Sequence, residues 1–204
     1  MHIKTLTVGP IETNCYVVSN DGRCAIIDPG DEASAILNYL EENHLHCDAV
    51  LLTHAHFDHV GAVDIVAGET GATTYMNRQD HEVAIGGRPN EFFVAPTNTR
   101  FYEDGDEVEA AGLCFRVLST PGHTPGSVCL LCEDALFTGD TLFKDSCGRT
   151  DFLRSSTEAM FSSLRRLATL PGDYEVYPGH MSATTMERER RYNPYIRMAL
   201  RNAK

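Results

Sequence analysis

The chain has 204 residues, 42% hydrophobic and 23% charged, close to globular averages, which points to one well-buried domain spanning residues 1–204. Its formal charge of −12 disfavours nucleic acid as a partner, because affinity for polyanions comes largely from Lys and Arg neutralising phosphates. The longest apolar run, Ala49 to Leu52, is far short of a bilayer span, and Met1-His2-Ile3-Lys4-Thr5 lacks the basic and apolar parts of an export signal, so a soluble cytoplasmic protein without a membrane partner is expected.

Residues 2–8 alternate polar and apolar, Asn14 to Ser19 is rich in β-formers, and Asn20-Asp21-Gly22 before Cys24 to Ile27 is a hairpin signal, so the chain is expected to open as an antiparallel meander. Asp28-Pro29-Gly30 reads as a turn, and Glu32 to Leu45 as a helix with Ile36, Leu37 and Leu40 at helical spacing. Ala49 to Leu52 has the continuous apolar pattern of a strand buried on both faces. Val60 to Glu69 reads as a helix and Ala72 to Met76 as a strand, while residues 86–99, with two prolines and two glycines, read as an irregular surface segment or lid. Phe101, Val108, Leu113 to Leu118, Ser127 to Leu131 and Ala135 to Thr138 are strand-like. Helices resume at Ser156 to Leu170, capped by Ser155 or Ser156 with Glu158 in the first turn, and at Ser182 to Arg191. Both halves run from strands to helices, which predicts an α/β four-layer αββα sandwich: two sheets face to face with helices outside.

The seven cysteines are odd in number and scattered through apolar stretches, a pattern of reduced thiols rather than a disulfide framework. Cys129 and Cys132 have redox-motif spacing, but residues three apart on a strand face opposite ways. Cys147 reads as a small buried thiol. No Gly-x-Ser-x-Gly elbow is present, which argues against a serine nucleophile.

The chemistry concentrates in Thr53-His54-Ala55-His56-Phe57-Asp58-His59-Val60-Gly61, directly after the apolar strand. Imidazole and carboxylate crowded this closely would repel or go unsatisfied without a cation, and they are ligands that zinc and iron accept. His54 and His56, two apart on an extended segment, point the same way; Asp58 and His59 follow one turn on. His123, Asp140 and His180 each follow a glycine in a loop after a strand-like segment, which raises the set to seven candidate ligands on four loops. His44-Leu45-His46-Cys47-Asp48 mimics the motif but falls at a helix end before the strand, and with His2 and His81 it reads as surface.

With these seven positions in order, the sequence resembles the metallo-β-lactamase-fold hydrolase superfamily over nearly its whole length. Gly139-Asp140-Thr141-Leu142-Phe143 followed by Gly148-Arg149-Thr150-Asp151-Phe152 is most similar to the glyoxalase II-like branch, the hydroxyacylglutathione hydrolases. The resemblance implies that His54, His56 and His123 hold one metal and Asp58, His59 and His180 the other, with Asp140 bridging. It implies two divalent ions, zinc first, with iron and manganese accepted by the same donors. It further implies a hydroxide between them, oriented by Asp58 as catalytic group, that cleaves S-D-lactoylglutathione or a similar small acyl-thioester. Arg149 falls where the branch places a basic glutathione-binding residue, with a salt bridge as its alternative role, and Asp151 stands where an aromatic is usual. The branch carries a C-terminal helical extension that supplies glutathione contacts, whereas 24 residues follow His180 here. The expectation therefore rests on thioester hydrolysis, with the thiol carrier and the oligomeric state left open.

Rival readings are an iron persulfide dioxygenase of the same fold, holding one iron through two histidines and an aspartate, and a phosphodiesterase or ribonuclease relative, which the acidic balance argues against. A β-lactam hydrolase is disfavoured by the absence of an export signal and by histidine after Asp58. A closed zinc-stabilised binding module would need four ligands, not seven.

Overall fold

The computed structural model describes residues 1–86 and 92–201. The first half contains β1 (His2–Val8), β2 (Thr13–Asn20), β3 (Arg23–Ile27), α1 (Ala33–Glu42), β4 (His46–Leu51), α2 (Phe57–Val60), α3 (Val63–Thr70), β5 (Thr73–Asn77), α4 (Arg78–Ile85) and β6 (Thr99–Tyr102). The second contains β7 (Glu107–Ala110), β8 (Leu113–Ser119), β9 (Val128–Cys132), β10 (Ala135–Gly139), β11 (Leu142–Phe143), β12 (Ser146–Cys147), α5 (Thr157–Ala168), β13 (Glu175–Pro178), β14 (Thr184–Thr185), α6 (Met186–Tyr192) and α7 (Pro194–Arg201).

The expected meander forms: β1, β2 and β3 pair antiparallel, and the β2–β3 turn places Asp21 at φ 47° and Gly22 at φ 77°, the left-handed pair that a two-residue hairpin requires. β4, β5 and β6 extend this sheet in parallel. The second sheet runs β14-β13-β10-β9-β8-β7, with β10 and β13 parallel. Period-two alternation then separates three apolar layers. Tyr16, Val18, Ala25, Ile27, Ala49 and Leu51 face Phe115, Val117, Leu130 and Phe137 between the sheets. The alternate residues Val17, Ile26 and Val50 pack with Ile36 and Leu40 of α1 and Val63 and Val66 of α3. On the far side, Leu118, Cys129 and Leu136 pack with Met160, Leu164 and Leu167 of α5 and with Ile196 and Ala199 of α7. These layers make the αββα sandwich. Cys129 and Cys132 fall in different layers, as strand geometry requires, and all seven cysteines are free thiols.

Several boundaries differ from the sequence reading for local reasons. The strand expected at Ala49 begins at His46, because Arg23 of β3 pairs with Asp48: Arg23 Nε donates to Asp48 at 2.9 Å and Ala111 N donates to the same carboxylate at 2.7 Å. The mimic motif thus lies partly inside the strand rather than before it, and His44 and His46 remain exposed. The helix expected from Ser182 begins at Met186, since Thr184 and Thr185 pair with β13 and the Thr185 hydroxyl accepts from Arg188 N. α4 and α7 are additional helices. Asn77 caps α4, and Asn193 accepts from Tyr195 N and Ile196 N ahead of Pro194, a residue suited to a first helical turn. Of the expected lid, residues 87–91 lie outside the described residues. Residues 92–98 are irregular and lie along the motif, with Phe57 N donating to Phe92 O at 2.8 Å and Val94 N to Ala55 O at 2.9 Å.

Candidate metal centre

The seven singled-out residues converge at one end of the two sheets, on loops that follow β4, β8, β10 and β13. The segment from Thr53 to His56 belongs to neither sheet ladder, and two buried carboxylates hold it. Asp28 accepts from Thr53 N at 2.7 Å and from the Thr53 hydroxyl at 2.6 Å, while Asp80 accepts from Ala55 N at 3.0 Å. Asp80 also accepts from the Thr124 hydroxyl at 2.8 Å and Gly126 N at 2.6 Å, which ties the His123 loop to the His54–His56 loop. Alternate amides are thereby fixed, so His54 and His56 project to the same side. Asn14 N donates to Gly179 O at 2.7 Å and Tyr16 Oη to Pro178 O at 2.6 Å, which bring the His180 loop across from the first sheet.

Two donor sets result. The ring nitrogens of His54, His56 and His123 lie within 4.8 Å of one another, as do the donor atoms of Asp58, His59 and His180. Asp140 stands between them: its Oδ1 is 3.4 Å from His59 Nε2, and its Oδ2 is 3.4 Å from His123 Nε2 and 3.7 Å from His180 Nε2. A third grouping, Asp28 with His54 and His59, is close enough to hold an ion. There, however, Asp28 already accepts from Thr53 and lies 2.9 Å from His59 Nδ1, so it orients His59 and leaves Nε2 as the outward donor. His123 is oriented likewise, with Nδ1 2.9 Å from Arg149 O.

The electrostatics divide along the same line. Burial and neighbouring histidines hold His54 well below the usual imidazole range, and burial with His123 pushes His56 down to about 3, so both rings present neutral lone pairs. In the other set burial opposes charge but is outweighed: Asp140 and Asp28 raise His59 well above its ordinary value, and the hydrogen bond to Asp58 raises His180. Burial would raise Asp58, yet the nearby His180 and His59 rings and the Thr13 hydroxyl hold it well below the carboxylate range; Asp140 falls to about 2, its burial overcome by His59, His123 and His180. His54 and His56 thus supply neutral nitrogen, while the carboxylates beside His59 and His180 favour positive charge there. Three buried atoms, His54 Nε2, His59 Nε2 and Asp140 Oδ1, have no hydrogen-bond partner. A buried polar atom left unpaired costs about 1–3 kcal/mol, so three that point together are the mark of a cation site. The residues fit the group their chemistry implies.

The centre floors a cavity of about 560 Å³ lined by Ile11, Phe57, Phe92, Phe143, Phe152 and Met181 together with His56, Asp58, His123, Asp140 and His180. Arg149 also lines it, as expected from its place in the sequence, and it forms the alternative salt bridge too: its guanidinium donates to Asp151 at 2.9 and 2.8 Å and covers the Phe152 ring at 4.6 Å. Cys147 is on the wall, half-buried, its thiol pushed up to about 11 by burial. His2 and His44 are exposed, whereas His81 is half-buried with its edge on Phe101. Sequence reasoning missed Asp28, Asp80, Thr13 and the aromatic wall. Asp28 sat inside an ordinary turn signal, Thr13 and Asp80 had no nearby motif, and Phe57, Phe143 and Phe152 lay within motifs read for their polar neighbours.

Residues 8–180 match the profile of Lactamase_B, the metallo-beta-lactamase superfamily. Hydroxyacylglutathione hydrolase GloC of Haemophilus influenzae is 34% identical over 208 residues, covering 96% of this chain and 98% of the relative. Among solved structures, the B3 metallo-beta-lactamase BLEG-1 superposes with a TM-score of 0.87 at 33% identity, covering 96% of this chain and 99% of the other. TTHA1623 in a di-iron-bound form superposes with a TM-score of 0.82 at 36% identity, covering 94% and 99%. Among the described residues no helix is long and apolar enough to cross a membrane. A profile match of this extent, with a relative aligned over nearly its whole length, settles the lineage: the chain belongs to the metallo-beta-lactamase superfamily and has the fold of its metal-dependent hydrolases.

Proposed function

We propose that the protein hydrolyses acyl-thioesters at a centre of two divalent metal ions, one held by His54, His56 and His123 and the other by Asp58, His59 and His180, with Asp140 shared. The observation that carries this reading is Asp140, whose carboxylate reaches both donor sets, with Oδ1 3.4 Å from His59 and Oδ2 3.4 Å from His123. Zinc suits the nitrogen-rich set, and the di-iron-bound relative supports iron as well. Two cations bound there would supply Lewis acidity and bring the pKa of a shared water toward neutrality.

The chain's own groups do the rest. Asp58, held by the Thr13 hydroxyl at 3.0 Å, is placed at the cavity wall to accept a hydrogen bond from the attacking water and aim it. A thiolate leaves without needing a proton from an acid, which suits a site whose histidines are all engaged. The likeness to hydroxyacylglutathione hydrolase GloC supports S-D-lactoylglutathione as substrate. The likeness to BLEG-1 favours a second reading, β-lactam cleavage by the same centre.

Elemental analysis paired with turnover of S-D-lactoylglutathione and of a chromogenic cephalosporin tests both. Two metals per chain, thioester turnover above β-lactam turnover, and activity lost in Asp58→Asn are expected. One iron per chain with oxygen uptake on a persulfide, or full activity in Asp58→Asn, would remove the proposal. Asp28→Ala is expected to weaken metal binding by about 10–100-fold, the usual effect of deleting a group that orients a ligand histidine, measured by competition with a chromogenic chelator. Unchanged affinity would show that His59 needs no such support.

A further inference from the structure

The cavity wall is chemically unlike a site for a carrier with two carboxylates and an ammonium group. Its mouth is ringed by apolar side chains left open to solvent: Ile11 is 49% exposed, Phe57 45%, Phe92 51% and Met181 65%. Exposed apolar residues gathered round one concave site mark a binding surface, whereas scattered ones mean little. Among the described lining residues Arg149 is the one Lys or Arg, and its charge is cancelled by the bidentate contact with Asp151 while its flat face covers Phe152. Size does not decide the matter, since about 560 Å³ is ample for either an acyl chain or a glutathione conjugate. Chemistry does. A carboxylate drawn against phenylalanine loses water without gaining a partner.

Resting on the hydrolase reading above, we infer that this site selects thioesters whose acyl group and thiol are uncharged and apolar, seated against Phe57, Phe92, Phe143 and Phe152, over glutathione conjugates. Water adds to the carbonyl carbon, the C–S bond breaks, one of water's protons goes to the thiolate, which leaves as the free thiol, and the other goes to solvent as the acid leaves as its carboxylate. No other reactant is needed.

The test compares kcat/KM on the metal-loaded enzyme for S-butanoyl, S-hexanoyl and S-octanoyl N-acetylcysteamine and for S-D-lactoylglutathione. Expected are a preference of about tenfold or more for the neutral thioesters and a rise of about fourfold for each methylene that finds the aromatic wall. Phe57→Ser with Phe92→Ser should flatten the chain-length dependence. Asp151→Asn, which leaves Arg149 uncompensated, should raise the lactoylglutathione value and narrow the gap. Lactoylglutathione turned over as well as the neutral series, or no dependence on acyl length, would overturn this inference while leaving the hydrolase intact. If the loaded enzyme cleaves none of the four thioesters, the hydrolase reading falls and this one with it.

Discussion

Asp80→Ala is expected to cost the His54–His56–His123 set its metal while leaving the other set able to bind. The Asp80 side chain is fully buried and receives three donors, Ala55 N, the Thr124 hydroxyl and Gly126 N, and the Ala55 and Thr124 donors lie beside histidines of that one set. Removing the carboxylate strands the Ala55 and Gly126 amides in the interior, while the Thr124 hydroxyl keeps Ser127 Oγ at 2.7 Å. At about 1–3 kcal/mol for each unsatisfied group, a loss of about 2 kcal/mol or more follows, or roughly 4–8 °C in Tm for a chain of this size. The two loops then lose their common anchor. The anchors of the second set, Asp28 on His59, Thr13 on Asp58 and Asn14 with Tyr16 on the Pro178–His180 loop, do not involve Asp80. Metal content should accordingly fall from two ions per chain toward one, with kcat falling more than KM rises, because the apolar wall is intact. Asp80→Asn, which keeps one acceptor oxygen, should fall between. Two tightly held ions and an unchanged Tm in Asp80→Ala would show that the carboxylate does no positioning.

Asp80 also shows where sequence reading stops. The seven converging residues were legible because each carried its own local pattern: alternation brought His54 and His56 to one side, and glycine before His123, Asp140 and His180 marked tight loops at strand ends. The four layers were legible because Tyr16, Val18, Ile27 and Leu51 alternate with Val17, Ile26 and Val50, so each strand is apolar on both faces. α4 was not, because its buried residue is a carboxylate where periodicity asks for leucine, and nothing in Arg78–Ile85 names the loops that will satisfy it. The aromatic wall was hidden for a related reason. Phe57, Phe92, Phe143 and Phe152 come from separate connections, and only the closed fold makes them one surface. Arg149 lines the cavity, and its pairing with Asp151 could be read either way until the geometry fixed it.

Gly30→Ala is expected to lower activity on the order of 100-fold through backbone contact alone. Gly30 does not occupy the left-handed region, so alanine can adopt its conformation; the obstacle is space, because a Cβ there would overlap the Asp58 carbonyl and press on His59 Cα. These atoms belong to α2, the short helix that carries two proposed ligands, and the contact is closed on both sides: Ala62 N donates to Pro29 O at 3.0 Å, and a Cβ at Gly61 would strike Gly30 O in turn. Relief therefore requires α2 to move. Overpacking of this kind costs about 1–3 kcal/mol in stability, and displacing reacting groups by about 1 Å costs on the order of 100-fold in rate. Gly68→Ala is the matched control. Gly68 lies within α3 with nothing near its Cβ position, so the same added methyl should stabilise the protein by about 0.5–1 kcal/mol and leave turnover unchanged. Thermal melts and kcat/KM on the two variants separate the cases. A Gly30→Ala enzyme with wild-type turnover would mean that α2 tolerates displacement and that the turn at Asp28-Pro29-Gly30 does not set the position of Asp58 and His59. Loss of turnover with a Tm lowered by only a few degrees would instead place the control of Asp58 and His59 in a glycine two residues beyond Asp28, the carboxylate that orients His59.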